Sequence, residues 1–232
     1  MAERVTILSD GLKLAGLLHL PNGQKPGERR PAFVVTFLEG RAEVDPKRIA
    51  FCGASLGAAV GIYAAGLDKR VAAVIAQGGW GSGPRKFQRQ HPPPEAWNRF
   101  LTMLADGVRT RETTGTSLMV PRFDIVPIPE KLRPMLRDGQ MQFTAETPLG
   151  MFLFHPEEMI GAISPRPVLL LHAGNDSVTP VDESIALYQR AKSPVELHII
   201  DGADHFMFAE SNPRVVNLVR DWLERYFPLT VA

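Results

Sequence analysis

Three residue types that together support nucleophilic acyl chemistry occur along this chain, and the first of them is a serine in a glycine-flanked motif. Ser55 is the central residue of the G-A-S-L-G run from Gly53 to Gly57. A β-prone run, Arg48–Cys52, precedes the motif, and a run rich in glycine and alanine follows it as far as Gly66. A tight strand-to-helix turn would expose the serine hydroxyl near a helix N-terminus, where amide groups can stabilise an oxyanion. We expect glycine at both flanking positions because side chains there would collide; a packing turn with an incidental serine is the alternative.

A nucleophilic serine needs a base, and the base needs an acid that orients it. Because ligands bind at the carboxyl ends of parallel strands, both partners should lie on loops that follow later strands. Asp176 follows the predicted strand Val168–His172, and His205 follows the predicted strand Val195–Ile200. These two residues are therefore the candidate acid and base.

Other roles remain open for the acidic residues near these loops. Asp176 could act only as a charge or cap at the start of the helix that follows it. Asp201 or Asp204 could orient His205 instead, although closeness along a loop does not aim a carboxylate at the ring.

The remaining histidines show no metal-ligand spacing, and the chain has a single cysteine. We therefore predict that the protein has neither a metal site nor a cofactor. His172 and His198 are expected to be satisfied residues on strands, and Cys52 is expected to be a small buried residue.

The sequence resembles the α/β-hydrolase superfamily, in particular its esterase and dienelactone-hydrolase-like branch, which is similar to the prolyl peptidases. Three segments carry the resemblance: Val44–Gly57, Pro167–Pro180 and Val195–Phe206. The chain order of serine, aspartate and histidine also matches that superfamily. The resemblance implies Ser55 as nucleophile, His205 as general base and Asp176 as its orienting acid, with the backbone N–H of Leu56 as half of the oxyanion hole.

One part of the family's pattern is missing near Val35–Phe37. After the predicted strand Ala32–Val35 the family has an oxyanion loop, a helix, a further strand and a second helix. Here the chain passes to a piece ending at Lys47 that resembles the tail of that second helix. We therefore expect either that a segment is absent from this sequence or that the natural chain lacks a strand and half of its oxyanion hole.

The elements predicted around these motifs alternate between strand and helix, which favours an α/β fold with a mostly parallel sheet and helices on both faces. We assign residues 1–79 and 166–232 to the α/β-hydrolase core. Residues 80–165 carry little strand signal and are predicted to be an inserted helical lid. The strands are predicted at Val5–Ser9, Lys13–Leu20, Ala32–Val35, Arg48–Cys52, Val71–Gln77, Val168–His172 and Val195–Ile200. One helix is predicted after the Gly53–Gly57 motif and continues to Gly66. Further helices are predicted around Ala96–Val108 and at Val181–Lys192 and Arg214–Tyr226.

The composition of the 232 residues is that of an ordinary globular protein, with 44% hydrophobic and 22% charged residues. The formal net charge of +1 gives no reason to expect nucleic acid or a membrane surface as a partner. The N-terminal residues do not resemble a secretory signal, so we expect a cytoplasmic protein that acts on a small molecule. The sequence indicates no oligomeric state.

The function predicted from these features is that of a serine hydrolase cleaving a carboxylic ester through an acyl-enzyme intermediate. A peptidase or amidase similar to the prolyl peptidases is an alternative, and a non-catalytic α/β-hydrolase-fold binding protein is another. Apolar residues of the lid could line the substrate pocket or serve ordinary packing; they are Trp80, Trp97, Phe100, Met103 and Phe123.

Overall fold

The computed structural model describes residues 2–9, 12–19, 30–33, 38, 41–42, 44–136, 141–208 and 212–228. Its strands are β1 (Ala2–Ser9), β2 (Leu12–His19), β3 (Arg30–Phe33), β4 (Val44–Ala54), β5 (Val71–Gln77), β6 (Met119–Pro121), β7 (Gln142–Thr144), β8 (Val168–Ala173) and β9 (Val195–Ile200). Its α-helices are α1 (Leu56–Leu67), α2 (Gly83–Gln90), α3 (Glu95–Thr114), α4 (Arg122–Ile125), α5 (Thr147–Phe152), α6 (Asp182–Arg190) and α7 (Pro213–Tyr226). Short 3-10 turns lie at Glu130–Met135, Pro156–Glu158 and Ile160–Ala162. None of the helices in these described ranges is both long enough and apolar enough to cross a membrane.

Five strands form a central sheet in the spatial order β3-β4-β5-β8-β9, and every neighbouring pair in it is parallel. Strands β1 and β2 form a separate antiparallel pair, in register from Ala2 opposite His19 to Ser9 opposite Leu12. The parallel sheet with helices between its strands confirms the predicted α/β fold class.

One face of the central sheet is covered by the last helix. Ile75 of β5 and two leucines of β8, Leu169 and Leu171, pack into one buried cluster with Val215 and Trp222 of α7. Because successive side chains of a strand point to opposite faces, residues two apart share this face.

The alternate residues of the same strands fill the core on the opposite face. Val74 and Leu170 pack there with Ile62 of α1 and Leu187 of α6. A parallel sheet needs cover on both faces, and the near-continuous apolar sequence of β5 and β8 reflects that double burial.

The chain between β5 and β8, residues 80–165, has a core of its own. Phe87 of α2, Phe100 of α3 and Val120 of β6 belong to this cluster. The short antiparallel pair β6–β7 differs from the expectation of a purely helical segment, because three-residue strands are too short to show a period in the sequence. The division into core and lid stays a prediction.

Two expectations about the start of the sheet are wrong. The end of the helix-like piece, Val44–Lys47, is strand rather than helix, because it belongs to β4, where Val44 pairs with Arg30 of β3. Cys52 is exposed rather than buried. Among the described residues, the last pair between β3 and β4 joins Phe33 to Ala50, which leaves Cys52 without a described partner in β3.

The predicted break near Val35–Phe37 falls on residues 34–37, which lie outside the described residues. The absence of a segment there stays a prediction.

Candidate active site

Ser55 occupies a strained turn between β4 and α1. Its φ of 53° and ψ of −118° make it the sole non-glycine residue with positive φ in the part of the chain that the structure describes. Its N–H donates to the carbonyl of Gln77 at 2.8 Å, and its own carbonyl accepts from the N–H groups of Ala58 and Ala59. Backbone strain of this kind costs about 1–3 kcal/mol and persists only where surrounding bonds fix it, as these do.

The turn explains one of the two flanking glycines and not the other. A Cβ built on Gly53 would lie 2.5 Å from the carbonyl carbon and oxygen of Gly57, which agrees with the expected collision. A Cβ on Gly57 would meet nothing within 4 Å outside its own helix among the residues that the structure describes. The expectation of a collision with the turn at Gly57 is therefore wrong for the described part of the chain, because that Cβ would approach none of its atoms.

Asp176 and His205 meet at the edge of the sheet where β8 and β9 end. Nδ1 of His205 lies 2.9 Å from Oδ2 and 3.0 Å from Oδ1 of Asp176, and both side chains are buried. Oδ1 of Asp176 also accepts from the N–H groups of Val178 and Thr179, at 2.9 and 2.7 Å. Asp176 therefore orders its own loop before α6 and contacts the imidazole at the same time.

The charge of Asp176 is held by its hydrogen bonds. Burial on its own would raise the pKa of Asp176, but hydrogen bonds from His172 and His205 and from the N–H of Thr179 outweigh burial. Together they hold the pKa of that carboxyl well below its usual range. The carboxylate can then accept a hydrogen bond from a protonated Nδ1 of His205, which leaves the lone pair of Nε2 free to act as a base.

His172, which the sequence suggested only as a satisfied strand residue, is a second histidine in contact with Asp176. Its Nε2 lies 2.9 Å from the carbonyl of Thr179 and 3.4 Å from Oδ2 of Asp176. Because a carbonyl can only accept, this Nε2 must carry a proton. Its Nδ1 lies 2.6 Å from Oγ of Ser184. The fully buried His172 is thus satisfied, as expected, and it also supports the carboxylate.

Asp204 orders the same loops without contacting the imidazole ring. Its Oδ1 accepts from the N–H and hydroxyl of Ser177 and from the backbone N–H of His205, and its Oδ2 lies 2.8 Å from Nζ of Lys131. Burial opposes ionisation, but the hydrogen bonds from Lys131 and Ser177 prevail and lower the pKa of Asp204 to about 2. Asp201, the other alternative, is exposed.

Gln77 links the serine turn to the histidine loop, and sequence reasoning did not single it out. Its side-chain Nε2 donates to the carbonyl of His205 at 2.9 Å, while its backbone carbonyl accepts from Ser55. The available signal was a polar residue at the end of the apolar run Val71–Gln77.

A cavity of about 310 Å³ is lined by Ser55 and His205 together. Leu56, the first residue of α1, lines it as well, and the first N–H groups of a helix have no carbonyl one turn earlier to bond. Most of the remaining wall is apolar, including Ile125, Val126, Ile128, Leu136, Phe143 and Met151. Any second oxyanion donor from residues 34–37 lies outside the described residues.

Of the five apolar residues suggested as pocket lining, Trp80 is in the wall of this cavity. Trp97, Phe100 and Met103 instead pack around Phe87 in the core of residues 80–165. Phe123 packs with Ile128 and its neighbours. Most of that set therefore serves ordinary packing, which is the usual role of large apolar side chains.

Comparisons with known proteins find relatives and solved structures of the alpha/beta hydrolase fold. The profile of the alpha/beta hydrolase family matches residues 24–218. A polyketide transferase of Stachybotrys chlorohalonatus is 26% identical over 183 residues, covering 74% of this chain and 60% of that protein. The chain thus spans about 60% of the length of the first curated relatives that it matches.

Two solved structures illustrate the likeness in three dimensions. A hypothetical protein from Pseudomonas aeruginosa has a TM-score of 0.78 at 19% identity, covering 98% of this chain and 94% of its own. An esterase domain from Rhodothermus marinus has a TM-score of 0.64 at 18% identity, covering 97% and 99%. A family match over more than half of the chain, together with this sheet and this turn, shows that the chain belongs to the alpha/beta hydrolase family.

Proposed function

We propose that the protein is a serine hydrolase that cleaves carboxylic esters through an acyl-enzyme intermediate. One observation carries the proposal: Ser55 and His205 line the same cavity. Ser55 lies on a strained strand-to-helix turn, and His205 is hydrogen-bonded to the buried carboxylate of Asp176. A nucleophile, a base and an orienting acid are the parts that acyl transfer requires.

In this proposal Oγ of Ser55 attacks the ester carbonyl carbon, and the serine proton passes to Nε2 of His205. The bond to the alkoxide then breaks, and that oxygen takes the proton from His205 as the alcohol leaves. Water repeats the sequence on the acyl-enzyme: His205 takes one proton from the water, the hydroxide adds to the carbonyl, and Ser55 leaves with the proton returned. Asp176 stays ionised throughout and stabilises the imidazolium.

The N–H of Leu56 is the donor we assign to the developing oxyanion, because Leu56 begins α1 and lines the cavity beside Ser55. The positive end of the α1 dipole favours negative charge at the same place.

Replacing Ser55 tests the proposal. Ser55→Ala should reduce the hydrolysis of short-chain p-nitrophenyl esters by several powers of ten while leaving the thermal midpoint near that of the wild type. Full activity in this variant would remove Ser55 from the mechanism. Comparing ester with amide turnover in the wild type separates an esterase from an amidase, and a wild type without turnover of either would favour a binding protein.

Acyl transfer to an acceptor other than water is a second candidate, favoured by the relative named as a polyketide transferase. The mostly apolar cavity wall would limit water near the acyl-enzyme. Adding a primary alcohol or a thiol during ester turnover should then yield the transferred acyl product. Only the free acid would form if the protein is solely a hydrolase.

A further inference from the structure

Lys86 is a buried lysine in the wall of the cavity that holds Ser55 and His205. Its exposed fraction is 1%, and no hydrogen-bond acceptor for its Nζ lies among the residues that the structure describes. Nε1 of Trp80 is likewise buried in this wall without an acceptor in the described structure. Buried donors without partners are rare and costly in folded proteins. A bound ligand could supply the hydrogen-bond acceptor that these two donors lack.

Aromatic faces hold the ammonium group without supplying a lone pair. Nζ of Lys86 lies 4.3 Å from the ring centroid of Trp80 and 4.0 Å from that of Phe87. Burial lowers the pKa of Lys86 to about 7, against the opposing charge of Glu183. A negative group beside Nζ would restore the preference for the charged form.

The backbone between these two donors is fixed by the buried carboxylate of Glu183, which also pairs with the partly exposed Arg85. Glu183 accepts from the N–H groups of Gly81 and Ser82 at 2.9 and 3.1 Å and from Nε of Arg85 at 2.7 Å. The N–H of Lys86 donates in turn to the carbonyl of Ser82 at 3.0 Å. The two donors are therefore held in place before any ligand arrives.

The charge of the cavity wall has one sign. Arg122 lines it together with Lys86, and none of the described residues that line it is an aspartate or a glutamate. A carboxylate in the cavity would thus meet basic side chains and no acid among the described residues that line it, within walls that are otherwise mostly apolar. The carboxylate of Glu183 acts on Lys86 but does not line the cavity.

We infer, building on the proposed ester cleavage at Ser55, that Lys86 and Trp80 bind a carboxylate on the acyl part of the substrate. The substrate class is then the half-esters of dicarboxylic acids. Lys86 determines specificity by donating a charge-assisted hydrogen bond from Nζ, and Trp80 donates a second hydrogen bond from Nε1.

Matched ester pairs test this inference. The mono-p-nitrophenyl esters of succinate, glutarate and adipate are compared with neutral p-nitrophenyl esters of the same chain length, so that the leaving group is unchanged. For the chain length that fits best, the wild type should prefer the half-ester by about tenfold to a hundredfold in kcat/KM. In K86M this preference should fall to about one. A wild type without the preference, or a K86M variant that keeps it, would overturn the inference.

Lys47→Met is the matched control. Lys47 is exposed near the start of β4, whose carboxyl end leads to Ser55, and eight residues of strand place it roughly 25 Å away. The Lys47→Met substitution removes a lysine, as K86M does, and should leave the preference for the half-ester unchanged.

Ligand binding separates a failure of this inference from a failure of the proposed function. Glutarate, but not its neutral diamide, should raise the thermal midpoint of the wild type and of Ser55→Ala, and the rise should be absent in K86M. If no ester is cleaved yet glutarate still binds through Lys86, the proposed hydrolysis is wrong and the carboxylate site stands. If esters are cleaved and glutarate has no effect, the site is wrong.

Discussion

The carboxylate of Asp176 lies 2.9 Å from Nδ1 of His205, although 29 positions separate the two residues along the chain. Their loops follow β8 and β9, which are parallel neighbours in register from Val168 opposite Val195 to Ala173 opposite Ile200. Parallel neighbours end at the same edge of a sheet, so the topology itself brings the acid to the base.

Asp176→Asn should lower kcat/KM for a p-nitrophenyl ester by about ten-thousandfold, because an amide no longer fixes the tautomer of His205. Steady-state kinetics at pH 7.5 measures the effect. Asp204→Asn is the matched control, since Asp204 bonds the backbone of His205 and not its ring. A larger loss in Asp204→Asn than in Asp176→Asn would show that the acid is wrongly assigned.

The two flanking glycines should respond differently to alanine. Gly53→Ala should destabilise the protein by about 1–3 kcal/mol, because its Cβ would overlap the backbone of Gly57. Gly57→Ala should be neutral or stabilising by up to about 1 kcal/mol, because alanine favours a helix and its Cβ would meet none of the described residues outside that helix. Urea unfolding of both variants makes the comparison, and equal losses would contradict this description of the turn.

Asp204 should contribute stability that depends on pH. Its folded pKa of about 2 lies below the ordinary value for aspartate, so its contribution is fully present above the unfolded pKa near 4 and is lost as pH falls through 2. We expect Asp204→Asn to lower the thermal midpoint by about 2–4 °C at pH 7 and at pH 5, corresponding to about 1 kcal/mol. The difference should shrink at pH 3; a difference that grows on acidification would contradict the assigned direction.

Glu183 should matter for stability well beyond its loop. It is fully buried, pairs with Arg85 and accepts the N–H groups of Gly81 and Ser82, so Glu183→Gln should cost about 3 kcal/mol of unfolding free energy. Glu158→Gln, at an exposed position, is the control and should change stability by less than about 0.5 kcal/mol. Similar urea midpoints for the two variants would rule out a structural role for the Glu183 pair.

Much of the fold followed from local patterns. The predicted strands Val71–Gln77 and Val195–Ile200 agree with β5 and β9 at both ends, because short apolar runs bounded by turn residues are a strong strand signal. β4 was predicted too short, since its first residues, Val44–Lys47, include a proline and two charges. Within this stretch Val44 pairs with Arg30 of β3, a contact between strands that the local sequence does not show.

Only those residues of the candidate site that belong to sequence motifs could be predicted. A glycine-flanked serine and two loop residues after strands are visible in the sequence, whereas the burial of Lys86 is not. Its helix, G-P-R-K-F-Q-R-Q, has the composition of a solvated surface, and nothing in that composition shows that Nζ lies over the rings of Trp80 and of the adjacent Phe87. The contact of His172 with Asp176 was likewise invisible, because it depends on how the loop after β8 folds back.

The most direct test of the central claim is the reaction of the native protein with a fluorophosphonate, followed by peptide mass mapping. An activated Ser55 should form a bond from Oγ to phosphorus with loss of fluoride, which gives a single adduct on the peptide that contains Gly53–Gly57. His205→Ala should react far more slowly, and Ser55→Ala should carry no adduct at that peptide. A wild type that stays unlabelled under conditions that label a known serine esterase, or that is labelled at another residue, would contradict the account.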